Sequence, residues 1–387
     1  MSRQEFDIAV IGGGATGLAG AIALARAGWD TALVGPVAPR ADGRTVALMD
    51  GSLQFLDSIG AWQPLVRDSA PLATLTIIDD TGALLRAPPV SFHAGELDLD
   101  AFGRNIEAAR LVAGLAEVAQ STPGLTLIDG SAETVDAGPD SCQIGLADGP
   151  DLMVRLAVGA DGRDSLVRRS AGITSRTWRY EQSALTAIFA HDRDHRDTST
   201  EFHTRHGPFT LVPLPGRRSS LVWLTTPREA ERLAGLDDAA FAAAVERQAA
   251  SILGAMRVDG PRGLVPMGGL SVDRFAGPRA VLIGEAAHVF PPIGAQGLNL
   301  GLRDVAGLIK ILGDGTGDPG DPARLDAYTA SRRLDVATRT AAVDALNRSL
   351  LAGFLPVDAL RGAGLMALAA IGPLRRFVMR QGLGATT

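Results

Sequence analysis

Cysteine, lysine and tyrosine are scarce in this chain of 387 residues, which has one cysteine and two tyrosines. The single cysteine, Cys142, excludes an internal disulfide and a cysteine-based metal site, and it fits a reducing cytosol. Lys310 is the only lysine, and its isolation among abundant arginine, alanine and glycine indicates codon usage in a GC-rich genome. Because no run of about 18 apolar residues is free of charge and no signal peptide precedes Phe6, we expect no membrane-spanning helix.

The charge and length of the chain bound its class. The net charge is −6 at neutral pH, and apolar residues make up 46 % of the sequence. The arginines are scattered, which argues against general nucleic-acid binding. A chain of this length is long for a single core, so we expect two closely joined domains.

The histidines do not form a recognisable metal or catalytic motif. Residues 191–195 read His-Asp-Arg-Asp-His, but the interleaved arginine predicts a solvated loop and no metal site. We expect His203 and His206 to be polar surface or loop residues. We interpret His288 as a structural histidine, because no serine or cysteine nucleophile and no carboxylate close to it completes a mechanism.

The N-terminal segment carries a nucleotide-binding fingerprint. Residues 6–11 form a continuous apolar run that predicts a buried parallel strand. A glycine turn and an alanine- and leucine-rich helix to about Ala27 follow, and residues 31–34 predict a second strand. This order predicts that the turn and the helix N-terminus hold a pyrophosphate. The residues of the turn that we expect to bind are Gly12, Gly14, Ala15 and Gly17.

One residue of the fingerprint is missing. The end of the second strand normally carries an acid for the adenosine ribose hydroxyls. This chain has Gly35 and Pro36 at that place. We expect Arg40, Asp42 or backbone groups to hold the ribose instead.

A second glycine-rich stretch lies near the far end of the chain. Residues 280–283 predict a short buried strand, and Gly284, Ala286 and Ala287 remove side-chain bulk behind it. A proline pair at 291–292 stiffens the loop, and a helix is predicted from about Leu298 through residue 308. The unpaired N–H groups at that helix start favour a planar, electron-rich ligand that becomes negative when reduced.

This second stretch resembles the flavin motif of the aromatic-hydroxylase family of flavoprotein monooxygenases. The match covers residues 284–288 and 291–299. In that family the acid after the first glycine holds the ribityl chain of FAD, and the Gly-Leu-Asn segment offers N–H groups to the flavin pyrimidine ring. The resemblance gives the first role to Glu285, where the family usually has Asp. The residues that it assigns around the ring are Gly294, Gly297, Leu298 and Asn299.

Three further residues match FAD-contacting positions of the same family. Arg44 follows an Asp-Gly turn, and Arg110 lies on a helix predicted over residues 97–120. For Arg110 a solvated surface role remains open. Asp161 lies in an Asp-Gly motif that the family associates with both FAD and NAD(P)H, and Arg168 matches the end of that motif. A simple capped turn is the alternative reading of Asp161.

The resemblance covers essentially the whole chain and implies an α/β fold. We expect a Rossmann-like FAD-binding domain with an inserted antiparallel-sheet substrate domain and a helical C-terminal segment. The predicted FAD-binding parts are residues 1–75, 97–175 and 266–345. The predicted substrate-domain parts are a hairpin at 76–96, with strands at 75–79 and 84–86, and a sheet at 176–265.

The C-terminal tail, residues 346–387, is apolar with interspersed arginines. This composition suits a helix in a membrane interface, and packing on the body or on a second subunit is the alternative. The chain is therefore expected in the cytoplasm, with the membrane alternative placing it peripherally on the cytoplasmic face of the inner membrane. The basic residues of the apolar part are Arg361, Arg375, Arg376 and Arg380.

Within the family the chain is most similar to ubiquinone-biosynthesis hydroxylases, through residues 42–44, 206–208, 211–213 and 293–304. The resemblance implies an FAD-dependent monooxygenase that hydroxylates an aromatic substrate, a polyprenylated phenol, with NAD(P)H and O2. Because only one dinucleotide fingerprint is present, NAD(P)H is expected to bind transiently. A quinone-biosynthesis complex or a homodimer is the expected assembly. No catalytic base is identified from the sequence.

Other functions remain open. An FAD-dependent prenyl reductase on the same fold is one, whereas a halogenase would usually show a Trp-x-Trp-x-Ile segment, which the sequence lacks. A non-catalytic scaffold of quinone biosynthesis with an impaired FAD site is another, and Gly35 and Glu285 favour it. The flavin-like motif argues against a plain NAD-dependent dehydrogenase.

Overall fold

The computed structural model describes residues 3–37, 39, 42–82, 88–290 and 296–351, and in the tail Gly372, Pro373, Arg375, Arg376 and Met379. The side chains of residues 296, 337 and 339–351 lie outside this description. So do the predicted strand at 84–86, the proline pair at 291–292 and most of the tail. Among the described residues, no helix is both long enough and apolar enough to cross a membrane.

The described elements are runs of strands separated by helices. The strands are β1 (Gln4–Ile11), β2 (Thr31–Val34), β3 (Thr45–Met49), β4 (Ser69–Pro71), β5 (Thr74–Asp79), β6 (Val90–His93), β7 (Gly103–Glu107), β8 (Leu125–Ile128), β9 (Ala132–Ala137), β10 (Cys142–Leu146), β11 (Leu152–Gly159), β12 (Ser175–His191), β13 (Thr198–Thr204), β14 (Gly207–Leu214), β15 (Arg218–Thr225), β16 (Met256–Val258), β17 (Gly263–Val272), β18 (Ala276–Gly277), β19 (Ala280–Leu282) and β20 (His288–Val289). The helices are α1 (Ala15–Arg26), α2 (Asp50–Ser58), α3 (Ala108–Gln120), α4 (Leu166–Ser170), α5 (Pro227–Ala234), α6 (Asp238–Gln248), α7 (Gln296–Leu312) and α8 (Pro322–Leu351).

The first sheet is the mainly parallel sheet expected from the fingerprint. Its strand order is β18-β19-β11-β1-β2-β8, with β10 and β9 added antiparallel at β11. β1 pairs parallel with both β2 and β11. The second half of β1 and all of β2 are buried, as expected for strands covered on both faces. α1 packs against α3 and α7, which completes the core around this sheet.

The second sheet is the inserted, mostly antiparallel one. Its order is β20-β17-β12-β15-β14-β13-β5-β6, with β16 at β12, and its parallel pair is β5–β13. The predicted strands at 185–190, 201–203, 209–212 and 221–225 are confirmed as parts of β12 to β15. The predicted domain boundaries stay a prediction, and the strands of this sheet come from residues 74–93, 175–225, 256–272 and 288–289.

The two faces of the second sheet have different partners. We call the outer face the one on which Phe189 and Phe209 pack against α6, in a cluster that includes Phe241. We call the opposite one, which carries Ser220, the inner face. There the Thr45 hydroxyl donates to Ser220 Oγ at 2.8 Å, and Asn105 Nδ2 donates to the Pro213 carbonyl at 2.9 Å. The inner face is therefore turned toward the first sheet and its connections.

A third sheet of three strands, ordered β3-β7-β4, lies at this junction. It corrects the helix predicted over residues 97–120, because residues 103–107 are strand β7 and the helix begins only at Ala108. β7 pairs with β3 on one side and β4 on the other, so tertiary pairing overrides the local helix preference. Gly103 suits this place, since a Cβ there would overlap the Leu48 carbonyl oxygen.

The described part of the tail packs on the edge of the second sheet. Arg375 Nε donates to Glu96 Oε2 at 2.7 Å, and the guanidinium lies 4.8 Å from the centre of the Phe92 ring. Met379 is buried in the same cluster as Phe92 and Phe102. At these positions the tail contacts the body of the protein, which was one of the two alternatives predicted from the sequence.

A hairpin was predicted to begin with β5, and β5 does pair antiparallel with the next strand, β6.

The outer-face cluster should contribute strongly to stability. Phe241 is fully buried, 5.5 Å from the Phe189 ring and beneath the Arg262 guanidinium. We predict that Phe241→Ala lowers the free energy of unfolding by about 3–5 kcal/mol, because it leaves a cavity and removes a ring contact. Leu334→Ala, at a side chain that is 72 % exposed, is the matched control. A loss of less than about 1 kcal/mol in denaturant titration of Phe241→Ala would contradict this role.

Candidate functional site

The three glycines of the fingerprint differ in what an added side chain would meet. Gly12 has φ of +121°, and a Cβ there would overlap the Ala160 carbonyl oxygen after β11. A Cβ at Gly17 would overlap the Gly12 carbonyl oxygen, so this glycine lets α1 pack closely on the turn. At Gly14 no described atom lies within 4 Å of such a Cβ. Gly12 and Gly17 are thus needed by the fold itself, and Gly14 faces open space.

The start of α1 is arranged to receive an anion. Gly14 is the N-cap, no side chain caps the helix, and its first turn, which begins at Ala15, has no acidic residue. The first N–H groups of a helix lack internal partners and lie at the positive end of its dipole. With the open space at Gly14, the α1 N-terminus can accept a phosphate group.

The missing acid after β2 has a conformational cause. Gly35 has φ of +144°, and a Cβ there would lie 2.9 Å from the Gly13 nitrogen. An aspartate or glutamate would therefore be strained and would press on the glycine turn. Two side chains were expected to hold the ribose in place of the acid. Arg40 lies outside the described residues, and Asp42 is bound to Arg44. Burial raises the pKa of Asp42, but hydrogen bonds and charge from Arg44 outweigh it, and the net pKa is lowered.

Asp161 lies in the loop after β11, beside the glycine turn. Its Oδ2 accepts hydrogen bonds from the N–H groups of Leu166, at 2.6 Å, and Val167, at 3.2 Å. This is the capped turn that was the alternative reading. The other oxygen, Oδ1, is buried without a hydrogen-bond partner among the described residues. A buried carboxylate oxygen normally has a donor, so Oδ1 is available to a ligand hydroxyl.

Glu285 lies among arginines in the loop after β19. Its Oε2 is 3.3 Å from Arg163 Nε, and its side chain is 57 % exposed. The pKa of Arg44 is raised, first by the hydrogen bond that its guanidinium donates to Asp42 and further by the negative charge of Glu285. Both guanidiniums are partly exposed. The carboxylate, Arg163 and Arg44 therefore form a polar group that a ligand can reach.

Arg168 holds two loops of the site together. It is buried, and its Nη1 donates to the Ala286 carbonyl at 2.8 Å while Nη2 donates to the Arg163 carbonyl at 2.6 Å. Burial lowers the pKa of the Arg168 guanidinium. The two carbonyls belong to the loops that carry Glu285 and Arg163, so Arg168 fixes the separation of that pair.

The start of α7 is fastened to β3. Asn299 Nδ2 donates to the Ala47 carbonyl at 2.8 Å, and its Oδ1 accepts from the Met49 N–H at 2.9 Å. At Gly297 no described atom lies within 4 Å of an added Cβ, and Leu298 is half-buried. Gly294 lies outside the described residues. Within the described part of the chain nothing lies over Gly297 at the α7 N-terminus, whereas the Asn299 side chain is fully used in the fold.

A buried ionic network was missed by the sequence reasoning. Asp304 of α7 is 0 % exposed, and its Oδ2 accepts from Gly284 N–H at 2.9 Å and from His288 Nε2–H at 2.6 Å. Its Oδ1 accepts from Arg332 Nε of α8 at 2.8 Å. The expectation that no carboxylate lies near His288 is therefore wrong, although the hydrogen bond is consistent with a structural histidine.

The sequence did contain a signal for this network. Asp304 lies four residues from both Leu300 and Leu308, so it falls on the buried stripe of α7.

Tyr328 lies next to this network. It is one helical turn before Arg332 and donates its hydroxyl to the Leu282 carbonyl at 3.0 Å. Burial, and then the charge of Asp304, raise the pKa of Tyr328 well above its usual value.

The other candidates lie apart from this group. Arg110 is exposed and pairs with Asp68 at 2.7 Å, and that hydrogen bond raises its pKa. His191 Nδ1 donates to the Arg193 carbonyl at 2.7 Å, and its Nε2 lies 2.9 Å from Ser219 Oγ. No cluster of metal-ligating side chains is found in the described ranges. His203 is buried on β13, which corrects the expectation of a polar surface or loop residue.

Comparison with known families and structures points to one cofactor. Residues 5–343 match the family described as FAD binding domain. The chain is similar over nearly its whole length to a p-nitrophenol 4-monooxygenase structure from Pseudomonas putida DLL-E4, with 18 % identity, a TM-score of 0.80, and coverage of 99 % of this chain and 100 % of that one. A Pseudomonas aeruginosa protein in complex with 2-aminobenzoylacetate, PqsL, gives 23 % identity and a TM-score of 0.75 over 94 % and 100 %. At these identities the structures establish the fold alone.

Curated relatives are similar over most of their length. A ubiquinone hydroxylase, UbiL, of Rhodospirillum rubrum is 34 % identical, with 98 % of this chain and 89 % of the relative covered. A 3-demethoxyubiquinol 3-hydroxylase of Escherichia coli is 28 % identical over 99 % of this chain and 100 % of the relative. The mitochondrial ubiquinone biosynthesis monooxygenase COQ6 of Mus musculus is 28 % identical over 97 % and 90 %.

Gly14 and Gly17 give a matched pair of substitutions. Gly14 has an ordinary negative φ and open space, so Gly14→Ala should leave the unfolding free energy within about 0.5 kcal/mol. The added methyl group lies where a pyrophosphate would approach, and FAD affinity should fall at least about tenfold in a titration of the apoprotein. Gly17→Ala should instead lower the unfolding free energy by about 1–3 kcal/mol, because the methyl group overlaps the turn. Unchanged FAD affinity in Gly14→Ala would contradict the role of this turn.

Removing the Asp304 charge should destabilise the fold. We predict that Asp304→Asn lowers the unfolding free energy by about 3–5 kcal/mol, because the buried Arg332 guanidinium then loses its fully buried partner and keeps only Asp335 as a charged partner. Asp326→Asn, at an exposed position of α8, is the control and should change stability little. Equal unfolding midpoints for the two variants would show that the network is not needed.

Proposed function

The chain belongs to the FAD binding domain family, and on that premise we propose that it is an FAD-dependent monooxygenase that hydroxylates an aromatic intermediate of ubiquinone biosynthesis with NAD(P)H and O2. Full-length similarity to hydroxylases of that pathway supports the reaction. The observation in the structure that carries the proposal is the arrangement of the open glycine turn, the free Asp161 oxygen and the Glu285–Arg163 pair in loops that follow β1, β11 and β19. These three strands are neighbours in one sheet.

The residues present fit FAD. In the proposal Gly12, Gly14, Ala15 and Gly17 receive the pyrophosphate at the α1 N-terminus. Asp161 Oδ1, a buried acceptor without a donor, and Glu285 accept hydrogen bonds from ligand hydroxyls. Arg44 and the open α7 start, with Gly294, Gly297, Leu298 and the Asn299 backbone, adjoin the ring system. Arg110 is proposed only as an outer contact, because its guanidinium is engaged by Asp68.

Each part of the chain has a defined task in this reaction. Bound FAD would supply the redox chemistry by accepting a hydride from transiently bound NAD(P)H and activating O2. The α7 N-terminus would stabilise negative charge on the reduced ring. Arg168 and Asn299 keep the loops around it in place through their backbone hydrogen bonds. The inner face of the second sheet excludes water from the reacting ring, since Val222, Val265 and Met267 form an apolar cluster on it.

The substrate is proposed to be a polyprenylated phenol. The apolar inner face fits an aromatic ring with an apolar substituent. We place the protein in the cytoplasm, acting alone, as a homodimer or in a quinone-biosynthesis complex. Residues 346–387 are proposed to contact the cytoplasmic face of the inner membrane, in addition to the contacts of Arg375 and Met379 with the body.

The membrane part of the proposal can be tested separately. A chain truncated after residue 353 should lose co-sedimentation with vesicles of bacterial phospholipid, which the full chain should show. The flavin spectrum of the truncated protein serves as the folding control. Equal sedimentation of both proteins would remove the membrane role from the tail and leave the hydroxylase proposal intact.

The enzymatic proposal predicts a yellow protein. Purified protein should show flavin absorption bands that bleach on addition of NAD(P)H without oxygen, and a 2-polyprenylphenol should accelerate the bleaching. Oxygen uptake should then accompany NAD(P)H oxidation. Double-bond reduction without oxygen uptake would favour a prenyl reductase. A colourless protein that does not take up added FAD would favour a scaffold.

A further inference from the structure

One pair of side chains on the inner face is not used in the proposed FAD site. Ser220 and Val222 are two residues apart on β15, so both lie on the inner face. Val222 pairs with Thr210 of β14, and Thr210 pairs with Glu201 of β13. Residues paired across neighbouring strands lie on the same face. Glu201, and His203 two positions later, therefore also belong to the inner face.

Glu201 and His203 form a buried hydrogen-bonded pair. His203 Nε2 lies 2.8 Å from Glu201 Oε1, and Thr210 Oγ1 donates to Glu201 Oε2 at 3.3 Å. The His203 side chain is 6 % exposed and that of Glu201 is 24 % exposed. The carboxylate is thus more accessible than the ring, and it holds the ring in a fixed orientation.

The pairing determines which ring nitrogen carries the proton. A carboxylate can only accept hydrogen bonds, so Nε2 must be the N–H donor. Nδ1 is buried and has no hydrogen-bond partner in the described part of the chain. A proton on Nδ1 would therefore be an unsatisfied buried donor, and the neutral ring keeps Nδ1 as a free acceptor. This is an acceptor oriented by a carboxylate, the arrangement of a general base.

Apolar side chains lie on both sides of the pair, beyond its polar neighbours Thr210 and Asp79. Toward β12 and β17 the inner face carries Val222, Leu224 and Met267. Toward the sheet edge, Ile77 of β5 is the register partner of Glu201 and packs with Phe92. A ligand that matches this face has a hydrophobic body and one hydroxyl group, and a phenol with an apolar substituent meets both conditions.

We propose that His203 is the catalytic base of the reaction and that Glu201 is its positioning residue, an inference that rests on the proposed hydroxylase function. His203 Nδ1 accepts the proton of the substrate phenol. The O–H bond breaks, an N–H bond forms at Nδ1, and the electron pair remains on the phenol oxygen. The phenolate is a more electron-rich ring for oxygen transfer, and Glu201 stabilises the imidazolium until its proton is returned or released.

Two other charged residues lie close to this pair. Asp79 is the register partner of His203 on β5, and it is buried with Oδ1 accepting from the Thr81 hydroxyl at 2.7 Å. Arg205 lies in the turn after β13 and donates to the Thr81 carbonyl. On β14, the register partner of His203 is the uncharged Pro208.

The experiment measures ionisation of a bound phenol, which needs no turnover. The probe is 4-nitrophenol, read as a difference spectrum against the same holoenzyme without probe, at the pH where the free probe is half ionised. Wild-type protein should raise the ionised fraction of bound probe above one half. In His203→Gln the fraction should fall below one half, because burial without a base disfavours the charged form. Glu201→Gln should lie between them.

The controls separate this inference from the proposed function. His206→Gln, at an exposed histidine in the turn after β13, should behave as wild type. With 2-prenylphenol, His203→Gln should lower kcat by about 10²–10⁴-fold. NAD(P)H-dependent flavin bleaching without substrate should be equal in wild type and His206→Gln, and its absence in both would reject the proposed function. Equal ionised fractions in wild type and His203→Gln, or no binding of 4-nitrophenol to wild type, would overturn the role of His203.

Discussion

The buried carboxylate of Asp304 is the interaction on which the site depends. Residues 283–289 leave the first sheet after β19 and enter the second at β20, and Asp304 binds this connection at both ends, at Gly284 N–H and at His288. Arg332 of α8 supplies the opposite charge. A buried charge is stable only with such partners, so the position of the Glu285 loop follows from the packing of α7 against α8. The Phe290 ring stacks on His288, with ring centroids 5.4 Å apart.

The second constraint is the contact between the inserted second sheet and the small third sheet. Thr45 and Asn105 reach Ser220 and the Pro213 carbonyl, and Asn299 fastens α7 to the same small sheet through Ala47 and Met49. These hydrogen bonds turn one face of the inserted sheet toward the cofactor side, whereas α5 and α6 cover the other. In the proposed reaction, the face that carries the Glu201–His203 pair is the one turned toward the aromatic substrate.

The sequence predicted the parts whose cause is local. The strand, turn and helix of residues 4–26 follow from an apolar run and three glycines, and the start of α7 follows from a similar pattern. It failed where distant partners decide. β7 is a strand because β3 and β4 flank it, and His203 is buried because its strand lies inside a sheet. Asp304 could have been found from its place on an apolar helical stripe.

The measurement that tests the central claim most directly is the isotopic origin of the product oxygen. The purified holoenzyme is supplied with NAD(P)H and a 2-polyprenylphenol under an atmosphere of ¹⁸O₂, and the product is analysed by mass spectrometry. The monooxygenase assignment predicts a hydroxylated ring that carries one ¹⁸O atom, with the other atom of O2 released as water. A product without label, or NAD(P)H oxidation that yields only hydrogen peroxide with every phenol tested, would contradict it.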